Sequence, residues 1–410
     1  MTDKLAFDAV FCSAQSSVST RKNRQETHFM QHKLAHNTAR RFDIVVAGGG
    51  LVGMAIAYGL VRAGKRVAVC DGADSAHRAA RGNFGLVWVQ GKGGRCLPYA
   101  QWSRESSERW GAFAAQLQRK TGVDAGFERP GGIELCETIE QLEAGRQLLE
   151  SIRLRDASLT YEVLDIRALK ARVPSASDKL AGALYSPHDG HASPLYTLRA
   201  MQQAFALAGG TYLPHHEVRE IRPYVGRFEI DTPHGTLEAE RVVLAAGLDN
   251  QRLAPMVGML APITPLRGQI MVTERLAPFL DYPTLVVRQT PEGSVLLGDS
   301  AEAVGFDDGQ TRAVMADIAR RARTAFPVLG HARIVRAWGA LRIMTPDGLP
   351  VYEESSTHPG AFLAICHSGV TLAAAHADVI APWIAGGARP SILDPFVATR
   401  FSNSTDAHVL

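Results

Sequence analysis

The chain has 410 residues, 46% of them hydrophobic and 21% charged, and a net charge of +3. That length allows two or three domains around a large core, and the composition is that of an ordinary globular protein. The near balance of charge gives no electrostatic footprint for nucleic acid or for an anionic membrane.

Residues 1–40 are polar, carry Arg21-Lys22-Asn23-Arg24 and three histidines, and show neither helical nor strand period. We expect a disordered extension, with Met30 as an alternative start, and find no apolar core of a secretory signal. Folding signals begin at Phe42-Asp43-Ile44-Val45-Val46-Ala47. A glycine hook follows, Gly48-Gly49-Gly50-Leu51-Val52-Gly53, then a helical stretch from Met54 to Ala63. Gly64-Lys65 turns the chain into a second β-rich run, Arg66 to Cys70, which ends at Asp71.

Strand, glycine turn, helix, strand and acid make the dinucleotide-binding fingerprint in its required setting, with Asp71 23 positions after Gly48. Gly48 permits the tight turn. Gly50 lets a pyrophosphate approach the backbone, and Gly53 lets the helix lie close on the sheet. The N–H groups at Leu51 and Val52 open the helix, whose dipole favours the phosphates' charge. Asp71 is expected to accept hydrogen bonds from the adenosine ribose.

Further along, Ala79 to Gly85 reads as a small, glycine-rich loop. Helical spacing runs from Tyr99 to Lys120, over 138–155 and over 165–173, the last stopped by Pro174. Gly131 to Cys136 enters a strand, and Ala183 to Tyr185 with the loop 187–194 leads to a helix over 195–209. Thr211-Tyr212-Leu213 is a short strand. Glu217–Ile221, Arg227–Asp231 and Gly235–Ala239 suggest a small meander, followed by a buried strand from Arg241 to a glycine turn at Ala246-Gly247. Residues 262–300 alternate as strands, 310–325 as a helix, Ala361–Ile365 as a buried strand and Val370–Ile384 as a helix. No apolar run reaches the roughly 18 residues of a membrane span. The five cysteines, Cys12, Cys70, Cys96, Cys136 and Cys366, show no C-x-x-C pair. We therefore expect no disulfide framework, no metal site and a reducing compartment.

Four patches beyond the hook carry a family resemblance. They are Arg81-Gly82-Asn83-Phe84-Gly85, Val242 to Gly247, Trp338 to Gly348 and Cys366 to Ala373. With them the chain resembles, from residue 41 to 400, the FAD-dependent oxidoreductases of the D-amino-acid oxidase and glycine oxidase family. Arg81 to Val89 with Gln90-Gly91-Lys92-Gly93 looks closest to flavoprotein subunits of hydrogen cyanide synthase, opine oxidase and D-hydroxyproline dehydrogenase.

The resemblance implies an α/β fold. A discontinuous Rossmann-like FAD domain (41–95, 183–255 and 330–400) would carry an inserted antiparallel-β substrate domain (96–182 and 256–329). It implies that Arg342 forks onto a substrate carboxylate and that His367 lies near substrate or ring. Gly369, Val370, Thr371 and Leu372 would present N–H groups to the flavin pyrimidine. Arg81, Gly82, Asn83, Val218, Ala246 and Gly247 join the FAD-binding set, with Val218 meeting adenine through its backbone. Ala340 stands where some relatives attach FAD through cysteine, so non-covalent FAD is expected. Arg267-Gly268-Gln269 is also family-like and is read as structural.

The implied reaction is oxidation of a small amino acid or secondary amine (glycine, D-amino acid, hydroxyproline or opine type) by hydride transfer from Cα to flavin N5. The implied setting is cytoplasmic, or membrane-associated through partner subunits that carry electrons onward. Two other readings stay open on sequence alone, a nicotinamide-dependent dehydrogenase and a non-catalytic flavoprotein serving in assembly.

Overall fold

The computed structural model describes residues 40–72 and 78–401. The expected disordered extension and its internal Met30 lie outside them, Arg40 excepted. The sheet that organises the fold starts with β1 (Arg40–Ala47), α1 (Leu51–Arg62) and β2 (Val67–Cys70), in the expected order. The two strands pair in parallel, from Ile44 opposite Val67 to Ala47 opposite Cys70.

Their unbroken apolar sequences follow from burial on both faces. Ile44, Val46, Val67 and Val69 pack on one side with α1 and with α2 (Leu97–Thr121). Val45, Ala47, Ala68 and Cys70 face the other side, among Phe228, Ile230 and Leu253. Helix α3 (Pro194–Leu207) leads to β3 (Thr211–Leu213), which pairs in parallel with β2. With β4 (Gly235–Leu244) and two late strands, Val351–Glu354 and Ala361–Ile365, the sheet order is Val351–Glu354, Ala361–Ile365, β4, β1, β2, β3. Segments far apart in sequence therefore build one mixed α/β scaffold.

Three smaller antiparallel sheets accompany it among the described residues, one of them only the pair Leu86–Val87 and Gly190–His191. Gly132–Cys136, Gly182–Ser186 and Glu162–Asp165 form the second, with Gly182–Ser186 in the centre. The third contains β5 (Thr264–Arg275), β6 (Val287–Gln289), β7 (Ser294–Leu297) and β8 (Ile334–Met344), in the order β6-β7-β5-β8. Ile133, Leu164 and Ala183 of the second share a core with Met271, Val287 and Leu297 of the third.

Four expectations need correction. Gly235–Ala239 and Arg241–Leu244 are one ten-residue strand, because a hairpin strand continues straight into the buried sheet. Glu217–Arg219 is an extended loop, and the meander strand begins at Glu220. Val351–Glu354 is a strand that the sequence reading did not assign. The last long helix starts at Ala373 and carries a π-helical turn at His376–Ile380. Residues 369–372 form a turn ahead of it.

Candidate functional site

A cavity of about 490 Å³ opens where the glycine hook, the end of β4 and the turn at 366–369 converge, a size within the range of small-molecule and cofactor sites. Gly48, Gly50, Leu51, Val52, Asp71, Asn83, Val218, Ala246, Gly247, His367 and Gly369 all line it. Eleven expected site residues, spread over more than 300 positions, are thus brought to one wall.

The hook has the geometry its chemistry requires. Gly48 has φ +105°, and a Cβ there would collide with the Ala245 carbonyl, so only glycine makes this turn. A Cβ on Gly50 would meet nothing nearer than the Ala80 methyl at 3.7 Å. The chain itself leaves that space clear, on the cavity side. Gly50 caps α1 without a side-chain hydrogen bond, and the first turn contains no acid. Its opening N–H groups and positive dipole end are therefore available to an anion. Gly53 sits beneath the turn, where a Cβ would strike the Gly48 carbonyl; its place is in the packing of α1 rather than on the cavity wall.

Asp71 closes β2 with both carboxylate oxygens occupied on one side. Oδ1 accepts from Arg78 Nη1 at 2.8 Å and Oδ2 from the Tyr212 hydroxyl at 3.0 Å. A carboxylate has lone pairs left for a ribose beyond these two contacts. Val218 lies 4% exposed. Its carbonyl accepts from Arg252 Nη2 at 2.7 Å, which leaves its N–H and one carbonyl lone pair for an adenine partner.

The turn before the last helix is pinned from behind. The Val370 carbonyl accepts from Trp110 Nε1 at 3.0 Å. The Thr371 carbonyl accepts from Ser106 Oγ at 2.7 Å and from Trp110 Nε1 at 3.1 Å. Among the described residues, the N–H groups of Gly369, Val370 and Thr371 have no hydrogen-bond partner. Leu372 departs from expectation, because its N–H is spent on the Ser368 carbonyl at 3.0 Å. Gly369 packs against Val52 and Leu51, so this second group of donors adjoins the first. Only Gly369 of the four reaches the cavity wall; Val370, Thr371 and Leu372 are buried behind it.

Two further expected residues stand elsewhere. Gly82 faces β8, where a Cβ would collide with the Ala340 methyl, and its carbonyl accepts from Trp338 Nε1 at 3.2 Å. It lets the loop close on that strand. The Arg81 side chain is exposed and off the cavity wall. Neighbouring Asn83 does reach the cavity, and its Oδ1 accepts from the Gly85 N–H at 2.7 Å.

On β8, Leu341 and Ile343 line the cavity while Arg342 between them points to the other face. This is the two-residue alternation of a strand. Its guanidinium donates to the Ser300 carbonyl at 2.6 Å and pairs with the Asp299 carboxylate. Leu266 sits opposite Arg342 on β5, and a side chain on Gly268 two residues further would displace that guanidinium.

His367 lines the cavity and is open to it. The surrounding protein, then the charges of Arg342 and Lys92, hold its imidazole down to about 4. Cys366 beside it is buried, and burial pushes its thiol up to about 12, which leaves no thiolate nucleophile. Arg267 is 3% exposed and bound to Glu302 and Asp307 at 2.7 and 2.6 Å, a structural ion pair as expected.

The sequence reading missed Asp299, Arg78, Tyr212 and Lys92 as members of this neighbourhood. Asp299 and Tyr212 carry no motif, and their place depends on strand pairing. Lys92 lies in the family-like run Gln90-Gly91-Lys92-Gly93, and nothing local ties it to Thr371.

An FAD fits these residues. The α1 terminus would hold the pyrophosphate, Asp71 the ribose, and the turn that opens at Gly369 the flavin's polar edge. Ala340 offers no atom for covalent attachment.

Comparison with known proteins agrees with this geometry. The family model for DAO, FAD dependent oxidoreductase, matches residues 43–383. A subunit of opine oxidase from Agrobacterium tumefaciens (strain Ach5) is 42% identical, covering 88% of this chain and 97% of its own. Hydrogen cyanide synthase subunit HcnC of Pseudomonas aeruginosa is 28% identical over the same shares of the two chains. The crystal structure of glycine oxidase from Geobacillus kaustophilus superposes with a TM-score of 0.83 at 26% identity, covering 88% of this chain and 99% of that one. The chain therefore belongs to the DAO family of FAD-dependent oxidoreductases.

Proposed function

We propose that this chain oxidises a small amino acid or secondary amine, of the glycine, D-amino-acid, hydroxyproline or opine type, at the carbon between its nitrogen and its carboxylate. The observation that carries the reading is the seat of Arg342. Its guanidinium already holds a carboxylate, that of Asp299, and its charge bears on the cavity-lining His367. A planar substrate carboxylate matches the same fork of donors.

Bound FAD supplies the acceptor for the hydride that leaves the substrate Cα. The chain's own contribution is placement. Arg342 fixes the carboxylate end. A site of modest polarity favours the neutral amine over the ammonium. His367, held neutral, offers that amine a lone pair without adding a charge. The imine that results hydrolyses in water.

Two of the relatives are named as subunits, and we extend this to the chain: partner subunits take the electrons onward. No helix among the described residues is long and apolar enough to cross a membrane, so a membrane link would run through those partners. The test is Arg342→Ala. It should keep bound yellow FAD and lose flavin reduction by amino acids; unchanged reduction would refute the assignment.

A further inference from the structure

Among the described residues near the turn at 369–371, Lys92 carries a charge that is not balanced locally. Its ammonium donates to Thr371 Oγ1 at 3.2 Å and lies 5.7 Å from the centre of the Tyr99 ring. Among the described residues it makes no ion pair. The side chain is half-buried, and burial brings it down to about 8. A lysine is placed there at a cost in solvation.

The titratable groups that face it come from three elements. From α2, the Tyr99 hydroxyl meets Ser368 Oγ at 2.9 Å, and burial raises it further above its ordinary value. From the turn itself, the Cys366 thiol keeps its proton, and the His367 imidazole is neutral. From the loop ahead of Gly190–His191, the fully buried Asp189 is pushed by burial up to about 7. The Asp189 carboxylate is also directed at the backbone, accepting the Val89 and Gln90 N–H groups at 2.5 and 3.1 Å. Of these groups Asp189 is the one acid, and burial pushes it toward its neutral form.

Thr371 links this cation to the turn. Its hydroxyl accepts from Lys92 and, at 3.1 Å, from the Trp88 N–H; it donates to the Leu86 carbonyl at 3.4 Å. Its carbonyl is held by Ser106 and Trp110. The residue's only polar group left over is its N–H, in line with those of Gly369 and Val370. Lys92 does not line the large cavity itself; its unbalanced charge reaches the turn through Thr371 Oγ1, on the residue whose N–H is one of the three unpartnered donors.

We propose that Lys92 is the counter-charge for the electron-rich, reduced state of the bound FAD, acting across Thr371 on the turn that receives the flavin's polar edge. This rests on the reading that the turn cradles the flavin. Lys92 is a positioning and electrostatic residue, not a catalytic one. Its charge favours reduction, and a neutral replacement disfavours it.

The test uses full-length protein with FAD bound, comparing wild type, Lys92→Met and Lys92→Arg. The readouts are flavin midpoint potential and sulfite affinity, both independent of amine turnover. Lys92→Met should bind sulfite about tenfold or more weakly and lower the potential by about 30 mV or more for the two-electron couple; Lys92→Arg should restore most of both. Unchanged potential and sulfite affinity in FAD-loaded Lys92→Met would overturn the proposal. Should that variant fail to hold FAD, wild-type protein decides. Its potential, followed from pH 6 to pH 10, should fall more steeply once Lys92 deprotonates near 8, and an unbroken line would overturn the proposal. Wild-type protein that binds no FAD would instead sink the functional reading.

Discussion

Asp299 is the carboxylate partner of Arg342 inside the chain. The anion that we assign to this arginine during turnover must therefore compete with an acid supplied by the loop after β7. Asp299 is half exposed and Arg342 only 22% exposed, so the aspartate can swing out more easily than the arginine. Asp299→Asn removes the competing charge and keeps the shape. It should lower KM for an amino-acid substrate several-fold and leave the visible spectrum of bound FAD unchanged. Arg342→Ala should act in the opposite sense and leave no flavin reduction on the wild-type timescale, each charge-assisted contact of the lost fork being worth about 1.5–3 kcal/mol. Steady-state kinetics on both variants checks the pair.

The hook glycines separate folding from binding. Gly48→Ala places a Cβ against the Ala245 carbonyl at a positive φ, and should lower Tm along with FAD content. Gly50→Ala adds a Cβ that meets nothing nearer than the Ala80 methyl at 3.7 Å, on a residue that lines the cavity. It should keep Tm and circular dichroism close to wild type and lose FAD. Thermal melts of apoprotein, alongside FAD titration, distinguish the two.

Much of this wall was legible from the chain. The spacing of Gly48, Gly50, Gly53 and Asp71 has a local cause, because turn, helix start and strand end are set within about thirty residues. Ala246-Gly247 and Gly369 also line the cavity, each a few residues past a strand end. The errors came where side-chain direction or backbone pairing decides. Gly82 and Asn83 are neighbours in one loop, yet one faces Ala340 and the other the cavity. Leu372 looks like a helix-start donor, but its N–H closes a turn on Ser368. The pairing of Arg342 with Asp299 depends on β5, β7 and β8 meeting, which no short-range pattern encodes.

Acid sensitivity follows from two buried histidines. His376 is fully buried, with Nε2 2.7 Å from the Tyr352 hydroxyl, and burial lowers it to about 3. His191 is 3% exposed and lowered to about 3 by burial and then by Arg288. Below about 6.5 the unfolded chain takes up protons at these sites that the folded chain refuses, so stability falls from there down to about pH 3. Each pH unit of difference is worth about 1.4 kcal/mol per group. Urea unfolding at pH 7, 6, 5 and 4 should show this decline, and His376→Asn should make it shallower.

Asp189 works at the other end. Burial raises its folded carboxyl from 3.8 to about 7. The stability it contributes is complete below about pH 4 and is lost as pH rises through 7. Asp189→Asn keeps an oxygen for the Val89 and Gln90 N–H groups and has no charge to bury. Its stability relative to wild type should therefore improve between pH 4 and pH 7, by an amount on the order of 4 kcal/mol at most. Paired unfolding curves at pH 5 and pH 8 check the sign.

The most direct test of the central claim is anaerobic mixing of the FAD-bound protein with glycine, D-amino acids, proline derivatives, sarcosine and opines while the visible flavin band is followed. The account predicts that at least one of these bleaches the band in wild type and fails to do so in FAD-loaded Arg342→Ala. Bleaching that survives the loss of Arg342, or a wild-type flavin that no member of the panel reduces, would contradict it.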